Sequence, residues 1–291
     1  MKTSKSPKRV VIEALQVGKA SLAAYSHRFS PKIFTQPQLF ACLVLKDFYN
    51  LTYRGTVGML ADCDSLAEAI GLEKIPHFST FQKAAARLLV SRRAQRLLDE
   101  TIQAATDHRV MRKNVALAAI DGTGFESRHI SAYFVRRRNR TCKEGYQTTT
   151  YTRFPSANLL CDCDSHLVLA MVTGRGPGPD DPYFQPTLKQ AASRANIETL
   201  LADAGYDSEA AHVFAREQYG TRTIIPATRG RPTKKRLRGY WRNRMKTRFN
   251  KIKYGQRWQV ETVFSMLKRN LGHAIAAKKY WSQCRQLLLL A

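Results

Sequence analysis

Between about residues 36 and 110 the apolar positions recur at helical spacing, as in Leu39, Phe40, Leu43, Val44 and Phe48. Ser65 with Glu68, and Ser79 with Gln82, read as capping boxes that start two helices, and Gly71 is placed to stop the first. The second helix carries Phe81, Ala85, Leu88 and Leu89 and runs on to Arg92, Arg93 and Arg96. Two capped helices joined by a short turn bearing Gly71 and Pro76 suit a helix-turn-helix that contacts DNA, or an ordinary helical hairpin. Ahead of this region, residues 1–10 read as a disordered basic tail.

At 114 the texture changes. Asn114 to Asp121 is a short apolar run ending in an acid and then Gly122, the pattern of a buried strand whose last carboxylate emerges at its end. Residues 157–164 and 166–173 form a hairpin, followed by a Gly/Pro loop from Arg175 to Asp181. A helix over about 183–195 precedes a second apolar strand, Glu198 to Asp203, again ending in an acid with Gly205 close behind. A helix from about 207 to 218 and a strand over 221–226 follow. This order predicts a mixed α/β domain over 111–291 behind a helical region over 1–110. Ligands of open α/β sheets bind at strand ends.

The last predicted helix, about 254–270, has two faces. Tyr254, Arg257, Glu261 and Lys268 fall within an arc of about 60°, while Val260, Val263, Phe264, Leu267 and Leu271 fill a separate arc of about 100°. One helix can thus bury one stripe and aim a carboxylate, flanked by cationic and phenolic groups, at a ligand. A carboxylate among cations suits a site that takes a metal and a phosphate together.

Charge sharpens this reading. The 291 residues carry 48 Lys and Arg against 22 Asp and Glu, a net +26, which points to a polyanionic partner, nucleic acid first. Residues 229–253 hold twelve Lys or Arg and no acid, with Tyr240, Trp241 and Phe249 interleaved to stack on bases or sugars. Arg136, Arg137, Arg138 and Arg140 form another basic cluster. No stretch approaches the roughly 20 apolar residues of a membrane span, and there is no secretory signal, so a cytoplasmic, nucleoid-associated protein of a bacterium or archaeon is expected. The scattered cysteines read as reduced; Cys161 and Cys163 alternate onto one strand face and lack zinc-site spacing.

Three carboxylates on two strand ends and one helix suit a pair of divalent cations, Mg²⁺ or Mn²⁺, with Asp121 bridging both and Asp203 and Glu261 each holding one. Here the chain resembles the DDE insertion-sequence transposases marked by a Tyr-Arg-Glu-Lys signature: Tyr254, Arg257, Glu261 and Lys268 match its spacing at every step. Ala119-Ile-Asp121-Gly-Thr-Gly resembles that group's first acidic strand and Leu201-Ala-Asp203-Ala-Gly-Tyr its second. Tyr25 to Lys32 and Ile75 to Thr80 have the flavour of the same group. The resemblance implies a ribonuclease H-like fold and metal-dependent strand cleavage at terminal inverted repeats, with transfer of the freed 3′-hydroxyl into target DNA. It also implies that Tyr254, Arg257 and Lys268 hold phosphates near the cleaved end. Arg242, Arg244, Lys246, Arg248, Trp241, Arg136, Arg137 and Arg138 are the further candidate DNA contacts. Two ends must be synapsed, so a homodimer is expected.

Other residues compete for these roles. Asp207 is expected to sit at a helix cap beside Ser208, Asp162 to face solvent in the hairpin, and Asp180 or Asp181 to support the metal site from the loop. Tyr206 is expected to pack beneath the site. A host nuclease of the same fold, or a DNA-binding protein derived from a transposase that no longer cuts, are the alternative functions. The second has no chemical need for three aligned carboxylates.

Overall fold

Val11, Ala14, Leu15 and Gly18 repeat at helical spacing and are buried on helix α1 (Pro7–Ser21), which starts behind Ser6 with Pro7 in its first turn. The chain is therefore ordered from Pro7, earlier than a tail ending at residue 10, because the apolar stripe begins at once and proline suits a first helical turn. The computed structural model describes residues 6–127, 154–227 and 237–291. Arg136, Arg137, Arg138 and the basic stretch 228–236 lie outside the described residues.

The chain divides into two compact units, Met1–Lys113 with Met266–Gly272 and Leu288–Ala291, and Asn114–Ser265 with His273–Leu287. In the first, α1 is followed by α2 (Gln36–Phe48), α3 (Tyr53–Asp62), α4 (Asp64–Ile70), α5 (Phe78–Leu88) and α6 (Ser91–Asp107). Leu39, Leu43, Leu45, Leu60, Ile70, Phe81 and Leu88 fill their shared core. Gly18 lets α2 come close: a Cβ there would lie 3.0 Å from Pro37 Cα.

The caps differ from expectation. The true capping box is Thr35 with Gln38, where Thr35 Oγ1 accepts from Gln38 N and Gln38 Oε1 accepts from Thr35 N. Helix α4 begins one residue before Ser65, with Cys63 at its cap and Asp64 in the first turn, where an acid complements the helix dipole. Helix α5 is capped by the His77 ring, whose Nδ1 accepts from Ser79 N at 3.4 Å. Gly71 ends α4 in the left-handed region at φ 73°, as its placement predicts.

The second unit is built on a sheet. Its strands are β1 (Asn114–Val115), β2 (Ala118–Gly124), β3 (Glu126–Ser127), β4 (Phe154–Asp162), β5 (Val168–Gly176), β6 (Asn196–Ile197), β7 (Thr199–Ala202), β8 (Arg222–Ile224) and β9 (Ala274–Ile275). The main sheet has the order β5-β4-β2-β7-β8. Strand β4 runs antiparallel to both β2 and β5, while β7 is parallel to β2 and β8 to β7. Three meandering strands followed by two parallel strands on the other side form the ribonuclease H-like mixed sheet that the resemblance implies. Helix α7 (Asp181–Ala192) carries the chain from β5 to β7. Helix α8 (Glu209–Val213), continued by a π turn over Phe214–Gln218, carries it from β7 to β8. The parallel pairs need such crossovers. Ala118, Ala119, Ile120, Leu200, Leu201 and Ala202 are fully buried, which explains the unbroken apolar runs of β2 and β7.

Asp162 does not face solvent. It is buried and accepts from Asp164 N, Ser165 N and Ser165 Oγ, giving three donors of the hairpin turn an acceptor. Cys161 is buried on β4 and in no disulfide, and burial pushes the Cys163 thiol up to about 12. No helix among the described residues is long and apolar enough to cross a membrane.

The remaining helices are α9 (Tyr240–Thr247), α10 (Lys251–Tyr254), α11 (Trp258–Leu271) and α12 (Tyr280–Leu290), with a 3₁₀ turn over Gly255–Arg257 leading into α11. Helix α11 buries Val260, Val263 and Phe264, part of its predicted apolar stripe. Gln259 on it meets His166 of the β4–β5 turn at 2.6 Å.

Candidate active site

Asp121 and Asp203 stand at neighbouring positions because their strands are parallel and in register. Ile120 pairs with Ala202 on β2 and β7, and each acid is the next residue. Each carboxylate is fixed by the backbone that follows it: Gly122 N donates to Asp121 Oδ1 at 2.8 Å, and Gly205 N donates to Asp203 Oδ1 at 2.8 Å. Tyr206 is buried beneath, and its hydroxyl donates to Asn158 Oδ1 of β4 at 3.0 Å. Asn158 is in turn the register partner of Gly122. The layer under the two acids is thus hydrogen-bonded and packed, as a site needing fixed geometry requires.

Glu261 joins them through a cation. Arg257 donates from Nη1 to Asp121 Oδ2 at 3.1 Å and from Nη2 to Glu261 Oε1 at 2.6 Å. Arg257 and Asp121 are 22% and 19% exposed, whereas Glu261 is 57% exposed and so has the freest side chain of the three. Burial raises the Asp121 carboxyl to about 6, the Gly122 N–H and Arg257 pull it back, and the carboxylates of Asp203 and Asp180 push it up again. Burial pulls Arg257 down, but Asp121, Tyr254 and Glu261 outweigh it and leave its guanidinium more firmly charged. Burial also raises the Tyr254 phenol, which hydrogen-bonds Arg257.

These carboxylates offer only oxygen donors, the chemistry of Mg²⁺ and Mn²⁺ sites. Among the described residues no three His, Cys, Asp or Glu stand close enough together to hold a metal ion as they are. The guanidinium of Arg257 lies between two of them, as a positive charge both acids can share. Lys268 is on the same helix, seven residues past Glu261, and half-buried.

The basic segment is anchored by acids. Arg242 grips Asp207 with Nε at 2.9 Å and Nη2 at 2.7 Å, and the Asp207 side chain is fully buried. Glu209 accepts from Trp241 N and Arg242 N, both at 3.0 Å, and so caps the start of α9. Ser208 caps α8, accepting from Ala211 N at 3.1 Å, and Asp207 serves Arg242 instead. The Trp241 ring lies under Arg216 at 4.0 Å, with Arg244 at 6.0 Å. Arg244, Lys246 and Arg248 are exposed on the same segment.

One acid is more central than its sequence suggests. A Cβ built on Gly122 would lie 2.9 Å from Asp180 Oδ1, and one on Gly205 would lie 3.0 Å from Asp180 Oδ2. Asp121 does not end its strand as its sequence predicts: β2 continues to Gly124 along β4, and only Asp203 follows the last residue of its strand. The two loop acids Asp180 and Asp181 are indistinguishable by type, but a glycine one residue after Asp121 and another two residues after Asp203 are signs that something approaches closely there.

The sequence pattern of a family described as "Transposase DDE domain" matches residues 116–291. No curated protein matches the chain. Among solved structures there is a likeness to "Crystal structure of the Mos1 mariner paired end complex with Mn", at 10% identity and a TM-score of 0.25, over 100% of this chain and 85% of that one. A superposition that loose bears on neither the fold nor the site.

Proposed function

We propose, since this chain belongs to the family of the transposase DDE domain, that it cuts DNA at transposon ends and joins the freed ends to a target at the Asp121, Asp203 and Glu261 site. Family membership carries the coarser part, an enzyme of DNA transposition. The observation that supports the site is the bridge by Arg257, which ties Asp121, the register neighbour of Asp203, to Glu261 of α11.

Oxygen-only donors around a shared positive charge fit two divalent cations, Mg²⁺ or Mn²⁺, held by Asp121, Asp203 and Glu261. Such cations, when bound, polarise the phosphodiester and make the attacking oxygen more acidic. The protein's own part is positional. The Gly122 and Gly205 amides each hold one oxygen of Asp121 and of Asp203, and the other Asp121 oxygen meets Arg257. Arg257 has the planar fork that grips a phosphate, Tyr254 adds a hydroxyl beside it, and Lys268 a point charge further along the helix. Arg244, Lys246 and Arg248 attract the duplex backbone without reading its sequence. The spacing of Tyr254, Arg257, Glu261 and Lys268 supports placing the chain in the Tyr-Arg-Glu-Lys group. Terminal inverted repeats and target DNA are the partners, in a synaptic homodimer.

The test is cleavage and joining of labelled terminal-repeat DNA with Mg²⁺ or Mn²⁺ and a supercoiled target, comparing the parent with Glu261→Gln. Cleavage and joining by the parent alone is expected. Cleavage without joining makes the protein a nuclease, and tight binding with no cleavage by either protein makes it a non-cutting DNA-binding protein.

A further inference from the structure

Two aromatic residues, Tyr280 and Trp281, open α12, and Lys278 and Lys279 stand just ahead of them. Trp281 is 71% exposed, and both lysines are exposed beside it. The Tyr280 ring is already in use: the Trp281 ring meets it at 5.2 Å, and the Arg175 guanidinium lies 4.1 Å over its face. The turn that bears the lysines is held from behind by α12. Gln283 Nε2 donates to Ala277 O at 3.0 Å, Ala277 N donates to Gln286 Oε1 at 3.3 Å, and Lys279 O accepts from Ser282 N and Gln283 N, both at 2.9 Å. A fixed turn therefore presents two cations and an open indole together.

This end of α12 is tied to the strand that carries Asp121. Ala274 of β9 pairs with Glu126 of β3, which follows β2 directly. Arg175 reaches the same region from β5: Gly124 pairs with Ser156, Ser156 pairs with Gly174, and Arg175 is the next residue. Four residues along and two strands across put its backbone about 16 Å from that of Asp121. Arg175 also lines an open cavity that Gly122 and Thr123, the residues after Asp121, line as well. The one acid of that lining, Asp180, lies against Gly122.

A base inside a duplex shows its faces only to its neighbours in the stack, so an indole can stack only on an unpaired or terminal base. Cations beside it suit the phosphates of the same strand. A second copy of this chain fits worse, because it would bring the same lysines and arginine against them. We propose that Trp281, with Lys278, Lys279 and Arg175, is a stacking platform for an unpaired base of the DNA. At 3.4 Å per nucleotide of one strand, the platform lies within about five nucleotides of the phosphate cut at Asp121. This inference rests on the function proposed above.

The experiment is fluorescence anisotropy of the full-length protein, without metal, on labelled oligothymidylate and on a duplex of the same length. The proteins are the parent, Trp281→Leu, Trp281→Phe and the double variant Lys278→Gln with Lys279→Gln. Melting temperatures are measured alongside and are expected to be unchanged, since these side chains are exposed. Trp281→Leu is expected to weaken binding of oligothymidylate by about tenfold and to leave duplex binding unchanged, and Trp281→Phe, which keeps a ring, to recover most of the loss. The double lysine variant is expected to lower the slope of log affinity against log salt on the single strand by about 1.4. Equal affinity of the parent and Trp281→Leu for oligothymidylate overturns the platform and leaves the catalytic reading standing. Equal loss on single strand and duplex makes Trp281 a duplex contact and overturns the platform as well. A parent that binds neither DNA overturns the platform together with the proposed function.

Discussion

Arg242 and Arg244 are two residues apart in one basic run, and their surroundings are opposite. Arg242 is turned inward, with two short hydrogen bonds to an Asp207 carboxylate that has no exposed surface. Arg244 is exposed; among the described residues its guanidinium hydrogen-bonds the Tyr240 hydroxyl at 3.2 Å and lies 6.0 Å over the Trp241 ring. Arg242→Ala leaves the buried Asp207 charge without its partner, a change that typically costs 3–5 kcal/mol. Arg242 keeps a fifth of its side chain exposed, so water can reach the gap and the lower end, about 3 kcal/mol, is expected. Arg244→Ala removes no buried partner and is expected to stay within about 0.5 kcal/mol. DNA binding separates the two further. Losing one phosphate contact lowers the slope of log affinity against log salt by about one, and that is the result expected for Arg244→Ala at unchanged stability. The assay is chemical denaturation alongside fluorescence anisotropy on duplex DNA across a salt series. If Arg242→Ala melts like the parent and merely lowers the salt slope, Arg242 is a DNA contact and the anchoring of α9 by Asp207 is wrong.

Two further outcomes follow from buried groups. Tyr206→Phe removes the donor to Asn158 Oδ1 beneath the strand ends, and is expected to cost about 1–3 kcal/mol in a denaturation experiment because Asn158 is also buried. Folding raises the Asp121 carboxyl to about 6 and lowers His212 to about 4, both mainly by burial. In metal-free protein Asp121 therefore lowers stability as pH rises from 4 to 6, while His212 lowers it as pH falls from 6.5 to 4, and the two slopes oppose. Asp121→Asn is expected to be more stable than the parent at pH 7 by up to about 3 kcal/mol, with the difference vanishing near pH 4. Equal stability at both pH values would refute the reading that burial of Asp121 outweighs its Arg257 and Gly122 partners.

How much could be read beforehand depends on whether a feature is local. Each apolar run ending in an acid announced a strand, since β2 and β7 are buried on both faces and tolerate only apolar residues there. The apolar face of α11 was legible for the same reason, since Val260, Val263 and Phe264 recur at helical spacing and are buried, but the expected helix over 254–270 is broken: Tyr254 ends α10 and Arg257 closes the 3₁₀ turn ahead of α11. What the sequence hides is pairing at a distance. Nothing near Arg242 says that Asp207, 35 residues earlier, will claim it. Nothing in Asp180-Asp181 says which of the two lies against Gly122 and Gly205. Caps fail for a related reason. Ser65 has the right type and spacing, but the start of α4 is set by which residues reach the core, and Leu66, Ala67 and Ile70 do so from a helix that begins at Asp64.

The net charge of +26 and the acidic strand ends pull in opposite directions, and Arg257 stands where they meet. A phosphate approaching Asp121, Asp203 and Glu261 without compensation faces like charges, a repulsion of about 4 kcal/mol for one pair 4 Å apart near a protein surface. In the free protein Arg257 offsets two of those acids, and its fork is then occupied and cannot grip a phosphate. A cation on the acids frees it, so cation and DNA are expected to bind with positive coupling, each raising affinity for the other by the same factor. Arg257→Lys isolates this competition. An ammonium keeps the charge but lacks the fork that spans Asp121 and Glu261 together. Mn²⁺ affinity without DNA is expected to rise severalfold, and affinity for DNA ends in the presence of Mn²⁺ to fall. If Mn²⁺ binds Arg257→Lys no more tightly than the parent, the guanidinium does not compete with cations for these carboxylates, and its role is confined to the phosphate.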